Sequence, residues 1–460
     1  MLPYTVTSGY LPLYAEGAED GPIRACLFFF AYTRDDKKNN TNWPTTFLFN
    51  GGPGAASDWI HLGGMGPLKI NFGAEGFTPL SNSLADDPYT LLANSDLIFI
   101  DPIGSGYSRV ASGVNPVEFD GLHQDANSIG DFISNYRTKF SRTQSPLYLI
   151  GESYSGMRLP VLGRYLDEKL GIKTTGIVFI SPWMDTLDDD VFRDDNAAND
   201  LPYVSYLPEM AAVAWYHQKL DPELLAGDLD TIYSDAEKFA NTDYLEALTV
   251  GNELVSSEFH RISDLMRHYT GLSTELIEKD NLRVPLSQFV AGLLKDQGET
   301  ISYYDGRMKA IESDVANSDP YDAFDPLFDS VDQHYFKNVL GIQTSLEYSG
   351  NDWSAWPGAN PKNNIRGGYL NVLDDINVLM TNNPDLKVMM ANGLFDLVCP
   401  PAEVHAQVRH LNPAVAKRIE LTHYRAGHPI YFGDTAHAQL SADLDRFFGR
   451  KPNRPLSNTF

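Results

Sequence analysis

A mostly parallel β-sheet with helices on both faces, interrupted by a long helical insertion, is the α/β fold that this chain predicts. Three observations point to it. Short apolar runs without polar alternation recur at 45–49, 97–100, 147–150 and 176–180, and such runs read as strands buried on both faces. Stretches with helical spacing lie between several of them, and strands alternating with helices wind into a parallel sheet. That rhythm stops between about Asp185 and Ser345 and resumes at Leu386. The predicted organisation is a core of residues 1–184 and 346–460, with a mainly helical cap insertion at 185–345.

Taken in order, 10–14 and 23–32 are β-type runs joined by a polar turn with Gly17, Gly21 and Pro22, which reads as an opening hairpin. The run 45–49 ends abruptly in Asn50-Gly51-Gly52-Pro53-Gly54-Ala55-Ala56-Ser57. Small residues directly after a strand mark either a tight crossover turn or a loop whose backbone approaches something closely. A second glycine-rich loop, Asp101 to Ser108, follows the run 97–100. Residues 120–140 have helical spacing, with Ile129, Phe132, Ile133 and Tyr136 on one face. The run 147–150 then breaks at Gly151, puts Ser153 at the apex of a sharp turn and enters a helix near Gly156.

The insertion is acidic and mostly helical in pattern, for example at 208–220 and 262–269. Its aspartates, Asp188 to Asp190 with Asp194 and Asp195, fit no calcium-loop spacing and read as a solvated charged loop. The last two strands, 386–390 and 418–423, end at Asp396 and at Gly427-His428.

The composition narrows the classes. With 460 residues, 43% hydrophobic and 12% aromatic, the chain buries a large core and is no disordered protein. A net charge of −26 repels polyanions, so no nucleic-acid partner is expected. Two cysteines, Cys26 and Cys399, allow at most one disulfide and lean towards a reducing compartment or a bacterial protein. The N-terminus lacks the basic and apolar regions of a signal peptide, and no apolar run is long enough to span a bilayer. A cytoplasmic location is therefore expected, with export the alternative where a leader has been removed. No metal or cofactor motif stands out.

Gly151-Glu152-Ser153-Tyr154-Ser155-Gly156 has the form of a nucleophile elbow, with Ser155 where the usual last glycine stands. A serine hydroxyl is a weak nucleophile and must stand clear of the fold to meet a base, which a strained strand-to-helix turn allows. Ser153, Asp396 and His428 each lie just beyond a predicted strand end, where loops distant in sequence converge. Their chain order, nucleophile then acid then histidine, is that of the α/β-hydrolases. His428 would take the Ser153 proton and return it to the leaving group, while Asp396 holds the imidazole tautomer. His423 is the nearest rival, but it falls inside a strand, where a packed or surface histidine is expected. Asp396 has the alternative reading of a helix cap before Pro401. The amides of Tyr154 and Gly52 occupy the places of an oxyanion hole.

Asn50-Gly51-Gly52-Pro53-Gly54, Gly104-Ser105-Gly106-Tyr107-Ser108 and the elbow together resemble the serine carboxypeptidases over most of the chain outside the insertion. The resemblance implies a peptide substrate whose C-terminal residue is the leaving group, with Ser153, Asp396 and His428 as triad and no cofactor. It implies further that Asn50, the Gly51 amide and Glu152 hold the terminal carboxylate. A carboxyl meets a carboxylate only if one is protonated, which favours acidic pH. Cys399 matches a cysteine that some members place beside the active site. The chain departs from the family at Gly64, where members commonly carry a second glutamate, at Pro429 directly after His428, and in its few cysteines. An esterase or acyltransferase acting on a small acyl substrate is the alternative on the same scaffold. A non-catalytic binding protein is a third class, which the complete triad argues against.

Overall fold

Alternate residues of the central strands enter two separate cores. The computed structural model describes residues 2–15, 21–38, 40–186, 199–313, 315, 318–350 and 370–451. The aspartates Asp188 to Asp190, Asp194 and Asp195 lie outside the described residues, as does Gly17 of the first turn. The main strands are β1 (Tyr4–Tyr14), β2 (Ile23–Arg34), β3 (Thr45–Phe49), β4 (Asp96–Ile100), β5 (Leu147–Glu152), β6 (Gly176–Ile180), β7 (Lys387–Gly393) and β8 (Ile419–Tyr424). They form one sheet in the order β1-β2-β4-β3-β5-β6-β7-β8, with the short strand Arg109–Val110 beside β2. β1 and β2 are the expected antiparallel hairpin, and β2 is antiparallel to β4. The remaining neighbours run parallel.

Register explains the two cores. Leu48 pairs with Ile150, Ile150 with Val178 and Val178 with Met389, so these side chains line one face. They pack with Leu440, Leu444 and Phe447 of helix Asp434–Phe447. Phe47, Leu149, Phe179 and Met390 point the other way, against helices α1 (Leu122–Lys139) and α2 (Ser155–Glu168). Ile129, Phe132, Ile133 and Tyr136 of α1 are all in that core, as their spacing predicts. Burial of each such side chain is worth roughly 1.5–3 kcal/mol before chain entropy is counted. Continuous burial on both faces is also why these strands lack polar alternation.

Between β6 and β7 the described chain is mostly helical, including Leu201–Tyr216, Leu229–Phe239 and Ser256–Thr270. These helices build a third core, which reaches into the sheet's edge through Leu394, Phe395 and Leu397. A small hairpin, Glu299–Ile301 with Lys309–Ile311, interrupts them. Among the described residues no helix is long and apolar enough to cross a membrane.

Candidate active site

Strand β5 ends at Glu152 and α2 starts at Ser155, leaving Ser153 on the turn with a φ of 59°. A serine in the left-handed region is uncommon, and such strain persists only where neighbours fix it. Here the Ser153 amide donates to Ile180 O at 3.0 Å, and its carbonyl accepts from Gly156 N at 2.7 Å and Trp183 N at 2.9 Å. The elbow is thus tied to the end of β6 and the loop beyond it, and it opens into the N-terminus of a helix whose dipole favours negative charge.

The acid and the histidine arrive from β7 and β8. Asp396 Oδ1 accepts from the amides of Val398 at 2.8 Å and Cys399 at 3.0 Å, while Oδ2 meets His428 Nδ1 at 2.8 Å. That pairing directs His428 Nε2 away from the acid. Burial alone would lower the His428 pKa, but the charge and hydrogen bond of Asp396, with Glu152 nearby, raise it above its ordinary value. The turn of the hairpin between β6 and β7 binds both loops: His428 N donates to Tyr304 O at 2.7 Å, Leu397 N to Tyr303 O at 2.9 Å, and Gly306 N to Phe395 O at 2.9 Å.

Ser153, His428, Glu152, Asn50, Gly51, Gly52 and Cys399 line one cavity of about 470 Å³. Trp59 and Trp183 from the core, and Tyr304, Tyr321, Asp322 and Asp325 from the segment between β6 and β7, complete much of its wall. The loop after β3 presses on the elbow: a Cβ on Gly51 would fall 2.6 Å from Tyr154 N and 2.7 Å from Ser153 Cβ. Gly52 has a φ of 102°, a conformation that a side chain would strain.

Glu152 is buried, and its Oε2 accepts from Asn50 Nδ2 and from the Tyr431 hydroxyl, the latter at 2.9 Å. Oε1 has no hydrogen-bond partner among the described residues. Burial pushes the carboxyl up to about 7, against the lowering effects of His428, Tyr431 and Asn50. Asn50 is held in turn: its Oδ1 accepts from Ile60 N at 2.9 Å, and its carbonyl from Ser155 Oγ at 3.0 Å and Arg158 Nη1 at 2.7 Å.

Asp396, Cys399 and His428 place their donor atoms within 4.8 Å of one another, a spacing that a metal ion could use. The Asp396 oxygens are already taken by two amides and the imidazole, so the set is satisfied as a charge-and-tautomer device. Neither Cys26 nor Cys399 is in a disulfide, and the fold stands without one. His423 lies within β8 with its Nε2 2.7 Å from His405 Nε2, away from this cavity.

Of the residues expected at the site, Ser153, His428, Glu152, Asn50, Gly51 and Gly52 line the cavity, whereas Asp396 is buried behind His428 and Tyr154 does not line it either. Tyr154 is buried beneath it with its amide against the Gly51 loop. Sequence reasoning missed Tyr431, Arg158, Asp125 and the Tyr303–Tyr304 turn. Tyr431 stands three residues beyond His428, and the only signal for it is the pair Gly63-Gly64, whose missing side chains leave it room.

Residues 2–441 match the family described as serine carboxypeptidase. Serine carboxypeptidase-like 8 of Arabidopsis thaliana is 30% identical over 173 residues, 36% of this chain and 36% of that protein. A carboxypeptidase Y homolog of Arthroderma benhamiae is 31% identical over 173 residues, 37% of this chain and 32% of that protein. The matched stretch thus spans only about a third of the length of these relatives. Among solved structures, Kex1Δp, a prohormone-processing carboxypeptidase from Saccharomyces cerevisiae, superposes with a TM-score of 0.57 at 17% identity, covering 96% of this chain and 91% of that one. That likeness establishes the α/β-hydrolase fold. On the match across nearly its whole length, the chain belongs to the serine carboxypeptidase family.

Proposed function

We propose that this protein releases C-terminal residues from peptides through an acyl-enzyme on Ser153. The observation that carries the reading is the Asp396–His428 pair opening onto the same cavity as a serine held at positive φ. Ser153 Oγ attacks the scissile carbonyl while His428 Nε2 takes its proton. The amides of Gly52 and Tyr154 receive the developing oxyanion. His428 then protonates the departing amino group, and a water activated by the same nitrogen frees the acyl chain.

Asn50, the Gly51 amide and a protonated Glu152 are the groups proposed for the terminal carboxylate. The raised Glu152 pKa supports this role, because a neutral carboxyl can donate where a carboxylate would repel. Residues 185–345 are proposed as the cap, between core segments 1–184 and 346–460. Tyr304, Tyr321, Asp322 and Asp325 make it the source of side-chain selectivity.

Turnover of an N-blocked dipeptide and of its C-terminal amide by wild type and Ser153→Ala tests the reading. Release of the last residue from the free acid, lost in the variant together with fluorophosphonate labelling, supports it. Equal turnover of free acid and amide would favour an esterase or acyltransferase. Turnover that survives in Ser153→Ala would overturn the triad.

A further inference from the structure

Two donors converge on one oxygen of a buried carboxyl, and among the described residues no hydrogen-bonding group meets the other. Glu152 Oε2 accepts from Asn50 Nδ2 and Tyr431 Oη, so the carboxyl's own proton has no room there and belongs on Oε1. Tyr431 is wholly buried, and its hydroxyl is held well above the usual phenol range by burial and by the adjacent Glu152. It therefore remains a donor at every working pH. Tyr431 packs closely against residues 63 and 64, which have no side chains. A Cβ on Gly63 would fall 2.8 Å from the Tyr431 ring edge and 2.5 Å from Phe432 Cε1, and one on Gly64 would fall 2.7 Å from Tyr431 O and 3.0 Å from Tyr431 Cβ.

Resting on the carboxypeptidase reading, we propose that Tyr431 is the positioning residue for terminal-carboxylate recognition. Its phenol fixes Glu152 Oε2 as an acceptor, so that Oε1 presents the proton to the substrate's carboxylate, and the Gly63-Gly64 pair leaves space for Tyr431, Gly63 beside its ring and Gly64 beside its backbone and Cβ. The groups that act on Glu152 are Asn50 from the β3 loop, Tyr431 and His428 from the β8 loop, Asp396 from the β7 loop and, from the segment between β6 and β7, Tyr321. Of these, Tyr431 and Asn50 bind the carboxyl directly, and Tyr431 alone can be changed to a near-isosteric residue that cannot donate.

Loss of this one hydrogen bond predicts two effects in Tyr431→Phe. The preference for a blocked dipeptide over its C-terminal amide falls on the order of tenfold, through KM for the free acid. The Glu152 titration midpoint, followed by infrared absorption of its protonated carbonyl and assigned by its loss in Glu152→Gln, moves up in pH. Incorporation of 3-fluorotyrosine at 431, a stronger donor of nearly equal size, moves the midpoint down. Gly64→Ala, which crowds Tyr431, lowers the free-acid preference in the same way, and the double variant is less than additive. Equal losses on acid and amide, or a Glu152 midpoint that neither ring substitution moves, would overturn the proposal. The infrared reading needs no turnover, so it stands even if peptide release itself is not found.

Discussion

Arg158 donates to the backbone carbonyl of Asn50 at 2.7 Å while its Nε bonds Asp125 at 2.6 Å, and neither charged side chain reaches solvent. The pair lies under the β3 loop and also holds Ser155 Oγ at 2.9 Å, so the floor of the site rests on one buried ion pair. Breaking such a pair leaves an uncompensated charge, at a cost of about 3–5 kcal/mol. Arg158→Met and Asp125→Asn should each lose that much in denaturant unfolding. Arg158→Met combined with Asp125→Leu should cost less than either alone.

Gly51→Ala tests how closely the glycine loop lies on the elbow. Its Cβ would meet Tyr154 N, Ser153 Cβ and Glu152 O inside 3 Å, and the two backbone atoms among them cannot give way cheaply. Displacing an oxyanion donor costs roughly 10²–10³ in kcat. A loss of that order on ester and peptide alike, with the fluorophosphonate still able to label Ser153 slowly, is expected. Unchanged kcat would mean that the loop is slack.

Asp396→Asn should keep the fold and lose kcat roughly 10⁴-fold. The asparagine oxygen must stay with the Val398 and Cys399 amides, which turns its NH₂ towards His428 Nδ1. Nδ1 must then accept, the imidazole proton moves to Nε2, and no base faces the serine. Single-turnover kinetics with an activated ester would read this directly.

Stability should fall between pH 6.5 and about 8.5. Burial pushes Glu152, Asp101 and Asp87 up to about 7 and Glu209 up to about 8. The folded chain therefore holds protons that the unfolded chain releases near pH 4, and the stability linked to them disappears as pH rises through the folded values. Buried His61 and His437, whose pKa values burial lowers, act in the opposite sense, but only below the ordinary histidine value of 6.5. Above it His428, where burial is outweighed by the Asp396 charge and hydrogen bond so that the pKa rises, acts in the same sense as the carboxyls. A thermal midpoint that rises from pH 6.5 to 8.5 would contradict this account.

Much of the site could be read from the chain because its signals are local. Ser153, Asp396 and His428 follow short apolar runs, and each run has its own composition. Arg158 and Asp125 escaped notice because each is an ordinary polar residue on an amphipathic helix, 33 positions apart, and only the packing of α1 on α2 buries them together. Tyr431 reads as one more apolar residue, since the hydroxyl that matters finds its partner 279 positions away. Strand β1 extends back to Tyr4 through Thr5, Thr7 and Ser8, polar residues that an edge strand tolerates and a pattern search passes over. The hairpin at Glu299–Ile301 and Lys309–Ile311 uses three-residue strands, too short to stand out in a helical segment.

That hairpin also limits how this protein can be rebuilt. Its turn supplies the carbonyls that hold the amides of His428 and Leu397, so a residue that would choose a substrate, Tyr304, lies in the same segment as the carbonyls that support the loops of His428 and Asp396. Grafting a foreign specificity region between β6 and β7 would carry away part of the triad's support. A working chimera would have to splice on either side of 302–308 and leave that turn with its native partners.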